Sequence, residues 1–153
     1  MHAMVAAVVG VPMLGAAVCL AVRDKASRYV AVIAAAVAAV LACALAAGQA
    51  GEAKAVCLFG GLPWLGEGAA KGIFGYEIDP LAIMMLLAAT VIGVAIAVYS
   101  IGYVSERNRE HRTRSGQARY FFWLMVFVGS MAGIAISPTL LQLLIFWEMT
   151  TLC

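Results

Sequence analysis

Four runs of apolar residues, each long enough to cross a lipid bilayer, set what this chain can fold into. They cover residues 4–22, 29–48, 80–104 and 120–136. A hydrocarbon core is about 30 Å thick and takes roughly 17–25 residues of α-helix to span. Inside it each backbone N–H and C=O needs a partner within the protein, so a spanning run of this length is a helix. The first run is not read as a secretory leader, because no Lys or Arg precedes it. Composition agrees: 65% of the residues are hydrophobic and 12% charged, and the mean hydropathy of +0.99 lies outside the range of soluble domains. The expected fold is an all-α membrane protein with four transmembrane helices, a truncated fifth, and a small outer-face β-hairpin loop.

The fifth apolar segment, residues 137–153, contains the residue that points most directly to function. Ser137 and Pro138 read as an N-cap followed by a proline in the first turn. Glu148 then lies about 15 Å along the helix, near the bilayer midplane. A carboxyl group in hydrocarbon is costly, and its usual role is on an ion or proton path. The plainer reading is a hydrogen-bonding contact that holds a neighbouring helix. Gln142, earlier on the same helix, is polar but cannot titrate. Thr151, three residues after Glu148, shares roughly one face with it and is placed to hydrogen-bond it or hold a water. A carboxyl group in an apolar setting is held neutral unless a partner charge stabilises its ionised form. Every other charged residue lies in a loop or at a helix end, so a titratable partner has to come from outside this sequence.

The loops orient the helices. Arg23, Lys25 and Arg28 fall in the first loop, and Arg107, Arg109, Arg112, Arg114 and Arg119 in the third. Alternation places both loops on one side, which the positive-inside rule makes cytoplasmic, with the N-terminus outside. The assignment is to a multi-pass plasma (inner) membrane protein. The outer loop, residues 49–79, carries two β-prone runs, Val56-Cys57-Leu58-Phe59 and Ile73-Phe74-Gly75-Tyr76-Glu77-Ile78, separated by Gly- and Pro-rich sequence. A hairpin anchored at the interface by Trp64 and Tyr76 is expected there. The organisation read from this is residues 1–104 as helices one to three with the outer loop, 105–119 as the basic cytoplasmic loop, and 120–153 as helix four and the incomplete helix five.

Other chemistries find little support. The net charge of +2 does not argue for nucleic acid, and His111 in the basic loop needs no special role. Cys19, Cys43, Cys57 and Cys153 have no short spacing, which favours core thiols over a disulfide framework or a metal site. No phosphate loop, nucleophile elbow or zinc spacing occurs. Tyr99 and Tyr103 share a helix face near the cytoplasmic interface, the pattern of an aromatic belt. No redox or catalytic centre and no cofactor is expected within this chain. Residues 137–153 make only about 25 Å of helix and would leave the last carbonyls in or near hydrocarbon, so the sequence reads as the N-terminal part of a longer protein.

Three motifs carry a family resemblance: Ile78-Asp79-Pro80-Leu81, Tyr99-Ser100-Ile101-Gly102-Tyr103, and Phe146-Trp147-Glu148-Met149-Thr150-Thr151-Leu152-Cys153. In order and spacing they resemble the antiporter-like membrane subunits of respiratory complex I, multisubunit Na+/H+ antiporters and membrane-bound energy-converting NiFe hydrogenases. The last motif looks closest to the large subunit of Ech-type hydrogenases. The resemblance implies proton transfer through Glu148 paired with a lysine on a later helix, which this sequence does not contain. It also implies H+ or Na+ as the coupling ion, and other membrane subunits of a redox or antiporter complex as partners. A structural or assembly role beside a pump is the alternative, with the small residues of the second helix at close helix contacts.

Overall fold

The computed structural model describes residues 2–22, 24–48, 54–57, 74–104 and 116–153. In chain order these form α1 (His2–Ala21), α2 (Asp24–Gly48), β1 (Lys54–Cys57), β2 (Gly75–Ile78), α3 (Pro80–Tyr103), α4 (Gln117–Ala135) and α5 (Leu140–Thr151). Four of the helices are long and apolar enough to cross a membrane, and the chain is a multi-pass all-α membrane protein. At 12 residues, α5 is too short to do so alone.

Alanine determines how the bundle closes. Along α2 the buried face runs through Ala31, Ala34, Ala35, Ala38 and Ala42. Small residues at this spacing let helix backbones approach closely, which is the main source of association in lipid. α2 and α4 form the central pair, each touching both α1 and α3, while α5 packs on α4. Glycines complete the fit: a Cβ at Gly15 would lie 2.6 Å from the Ala34 methyl, and one at Gly93 would lie 2.8 Å from Val128. The outer faces stay apolar, with Leu14, Ile33, Val40, Met84 and Ile92 exposed. A helix apolar all round is the form expected where the solvent is lipid.

Helix ends follow local chemistry. Asp79 caps α3, its carboxylate accepting from the Ala82 N–H at 2.6 Å, and Pro80 takes the first turn where a missing N–H costs nothing. At the other end of α3, the Ser100 and Tyr120 hydroxyls are 2.9 Å apart and tie it to α4. The second helix starts at Asp24, five residues before the apolar run, because its polar first turn also takes helical geometry.

β1 and β2 pair antiparallel, with Val56 opposite Tyr76 and Cys57 opposite Gly75. The residues that join them, including Trp64, lie outside the described residues, as do 105–115 of the basic loop with His111 and four of its arginines. Tyr76 is not an interface anchor. It is 1% exposed and sits in the core with Val5, Leu45, Leu86 and Ile136, because β2 folds against the end of the bundle instead of lying on the membrane. Of the cysteines expected in the core, Cys19 is buried, whereas Cys43 and Cys153 face outward.

Candidate proton-transfer site

The site is built on α5, and the turn before it sets where α5 begins. The start is two residues later than the Ser137–Pro138 pattern implies. Ser137 finishes α4, its hydroxyl donating to the Gly133 carbonyl at 2.7 Å. Thr139 is the N-cap of α5, with extended backbone and a side-chain oxygen accepting from the Gln142 N–H at 3.3 Å. Pro138 separates two polar side chains that serve two different helix ends, the last carbonyls of one and the first N–H groups of the next. From Leu140, Glu148 lies about 12 Å along the axis at about 1.5 Å per residue, still well inside a 30 Å hydrocarbon layer when the turn is at its edge.

β2 marks that edge. The Glu77 N–H donates to the Ile136 carbonyl at 2.9 Å, so the strand lies against the α4–α5 turn. Gln142 completes the junction from α5. Its Oε1 accepts from the Gly75 N–H at 2.9 Å, and its Nε2 donates to the Gly75 carbonyl at 3.1 Å. Gly75 and Glu77 are two residues apart, so both present their N–H to the same strand edge, the one not used by β1. An edge that would otherwise expose unpaired groups is thus covered by α5 and its turn.

The faces of α5 divide sharply. Gln142 is 3% exposed, and Phe146 and Met149 continue its inward line. Gly133 makes room for the Phe146 ring, since a Cβ there would lie 2.6 Å from it. Beside this line is a cavity of about 280 Å³ between α1, β2 and α5, lined by Val5, Val9, Tyr76, Ile136, Gln142 and Phe146. The cavity is apolar, and the one side-chain amide on its wall is already engaged with Gly75.

Glu148 is on the other side, exposed together with Leu141, Leu144, Trp147 and Leu152. Among the described residues its carboxylate has no hydrogen-bond or ion-pair partner. Thr151 does not supply one: its hydroxyl donates to the Glu148 main-chain carbonyl at 2.7 Å, just as Thr150 donates to Trp147 at 2.6 Å. A hydroxyl three residues on within a helix reaches the carbonyl more easily than an outward carboxylate. The face of α5 is therefore apolar with one carboxylate, pointing away from α1–α4. Tyr99 and Tyr103 stack on the exposed side of α3 with ring centroids 5.8 Å apart.

Part of the chain is similar to known proteins. Residues 64–121 match the family described as NADH-Ubiquinone oxidoreductase (complex I), chain 5 N-terminus. The chain is 38% identical over 90 residues to the chloroplastic NAD(P)H-quinone oxidoreductase subunit 5 of Anthoceros angustus, covering 59% of this chain and 11% of that protein. The same subunit of Chaetosphaeridium globosum is 36% identical over 91 residues, 60% of this chain and 12% of the relative. That of Poa pratensis is 38% identical over 80 residues, 52% of this chain and 10% of the relative. The matched part spans about a tenth of the length of these relatives.

Proposed function

We propose, from the match of residues 64–121 and the likeness to the quinone oxidoreductase subunits, that the chain belongs to the antiporter-like NADH:quinone oxidoreductase family and is the N-terminal part of a proton-translocating subunit in a membrane-bound redox complex. Electron transfer elsewhere in that complex would be coupled to movement of H+ or Na+ through this subunit, with Glu148 as the proton-transferring group. The observation that carries this reading is the placement of Glu148: a carboxylate about 12 Å into α5, on an apolar face turned away from the other four helices. Exposed to lipid it would be strongly disfavoured, so the face is read as one covered by further protein that supplies a partner charge.

The mechanism is electrostatic. A lysine from a later helix, which the family resemblance implies, would hold Glu148 ionised, and weakening that pair would favour its protonation. One unit of pKa corresponds to about 1.4 kcal/mol, so a modest change in pair distance is enough to load or release a proton. The chain's own part in this is to present the carboxylate at a fixed depth and direction. Other membrane subunits are the proposed partners. The basic loops are placed in the cytoplasm and the N-terminus outside, in the plasma or inner membrane, on the distribution of Arg and Lys. The relatives' names support a quinone oxidoreductase as the parent complex; an Ech-type hydrogenase rests on the resemblance of residues 146–153 alone.

Glu148→Gln, studied in the assembled complex in sealed vesicles, tests the reading. Ion transport should be lost or sharply reduced while electron transfer continues at least in part. Normal transport with a lower yield of complex would instead support the structural role, in which the apolar face of α5 serves only for assembly.

A further inference from the structure

An all-apolar helix in lipid has no hydrophobic reason to prefer one rotation about its axis over another, because the tails outside are as apolar as the core. Most of α5 comes close to this: Leu141, Leu143, Leu144 and Ile145 lie on successive sides of it, and Gln142 is the one polar residue in its first two turns. Packing, such as Phe146 against Gly133, and directional contacts together set its rotation, and the directional contact on the inward face is Gln142. The amide makes two hydrogen bonds to the backbone of one residue, Gly75, 67 positions earlier in the chain. This is the two-point pairing one strand residue gives another, with Gln142 standing where a third strand would be. The Glu77 N–H bond to Ile136 holds the same strand to the turn just before α5. Turning the helix would leave the N–H and carbonyl of Gly75, a buried residue, without these partners.

We propose that Gln142 is a positioning residue for Glu148: by clasping the Gly75 backbone it fixes the rotation of α5, and so the direction in which the carboxylate faces. At about 100° per residue, Glu148 lies about 240° round the helix from Gln142 and about 9 Å further along. With Gln142 held inward, Glu148 is held outward, as the burial of the one and the exposure of the other record. Phe146 and Met149 follow Gln142 on the inward line but make only apolar contacts, which tolerate rotation more readily than paired hydrogen bonds do. The outer strand thereby becomes part of the transfer site without touching it.

The proposal rests on the reading of Glu148 as the proton-transferring group, and its test separates the two. Gln142→Leu removes both hydrogen bonds from the helix side, and Gly75→Pro removes the donor from the strand side while leaving α5 unchanged. Both are made in the protein assembled in its own membrane, with Glu148→Gln as the variant that identifies the Glu148 carboxyl band in the infrared spectrum. The expected result is a shifted Glu148 band in both clasp variants, and a shifted pH profile with slower proton transport at unchanged protein level. A band and a pH profile like those of the unsubstituted protein in either assembled variant would overturn the proposal. So would loss of the protein from the membrane in both, which would make the clasp a folding element only. If Glu148→Gln transports normally, the functional reading fails; the positioning claim then stands or falls on the band alone.

Discussion

Replacing Gly15 by alanine should force α1 and α2 apart, and the size of the effect follows from geometry. The added methyl carbon would lie 2.6 Å from the Ala34 methyl. Carbon pairs rest at about 3.5–4.0 Å, so the helices must separate by about 1 Å. Neither group has a side-chain torsion that could move it aside, and both backbones are helical, so the strain falls on the interface as a whole. That interface includes Ala31 and Ala35, both fully buried and dependent on close approach. Overpacking of this kind costs about 1–3 kcal/mol, and the better helix propensity of alanine returns up to about 1 kcal/mol. The net loss for Gly15→Ala is therefore about 1 kcal/mol. The clash itself is isolated by adding Ala34→Gly, which removes the opposing methyl. The double variant should be more stable than the sum of the two single effects by about 1–3 kcal/mol. Helicity followed through a denaturing-detergent titration in mixed micelles measures all four proteins. A coupling below about 0.5 kcal/mol, the level of independent sites, would refute the argument that these two positions set the helix spacing.

Substitutions at two further places test contacts that hold the bundle together. Asp79→Ala should cost about 0.5–2 kcal/mol in the same titration, by leaving the first turn of α3 without its cap; Asp79→Asn, which keeps an acceptor, should lose much less. Tyr120→Phe removes the hydroxyl pairing with Ser100 and should cost about 0.6 kcal/mol, the usual worth of one interhelical hydrogen bond in a membrane; Ser100→Ala also removes that hydroxyl's bond to the Ile96 carbonyl, so a double-mutant cycle of the two should show a coupling of about 0.6 kcal/mol for the shared bond.

The apolar runs made α1, α3 and α4 legible from sequence because a membrane span writes itself as length and hydropathy. The start of α2 was less so, since Asp24 to Arg28 carry the polarity of a loop in the geometry of a helix. The α4–α5 turn offered two hydroxyl residues around Pro138, and composition does not say which helix end each one serves; the assignment depends on how the two helices meet. Tyr76 reads as an interfacial aromatic, and becomes a core residue only because β2 is drawn against the bundle by Glu77 and Gln142. Glu148 stood out at once as a carboxylate among apolar residues. Its direction did not, because large apolar residues lie on every side of α5 and leave no amphipathic pattern from which to read a face. Gln142 was visible as a polar residue in that helix, and its partner, a backbone 67 residues away, was not.

The central claim, that Glu148 exchanges a proton during turnover, is tested most directly by infrared difference spectroscopy of the complex as it turns over. A carboxyl signal is expected that shifts on isotopic labelling of glutamate and disappears in Glu148→Gln together with ion transport. An unchanged difference spectrum in Glu148→Gln, with transport continuing, would contradict it.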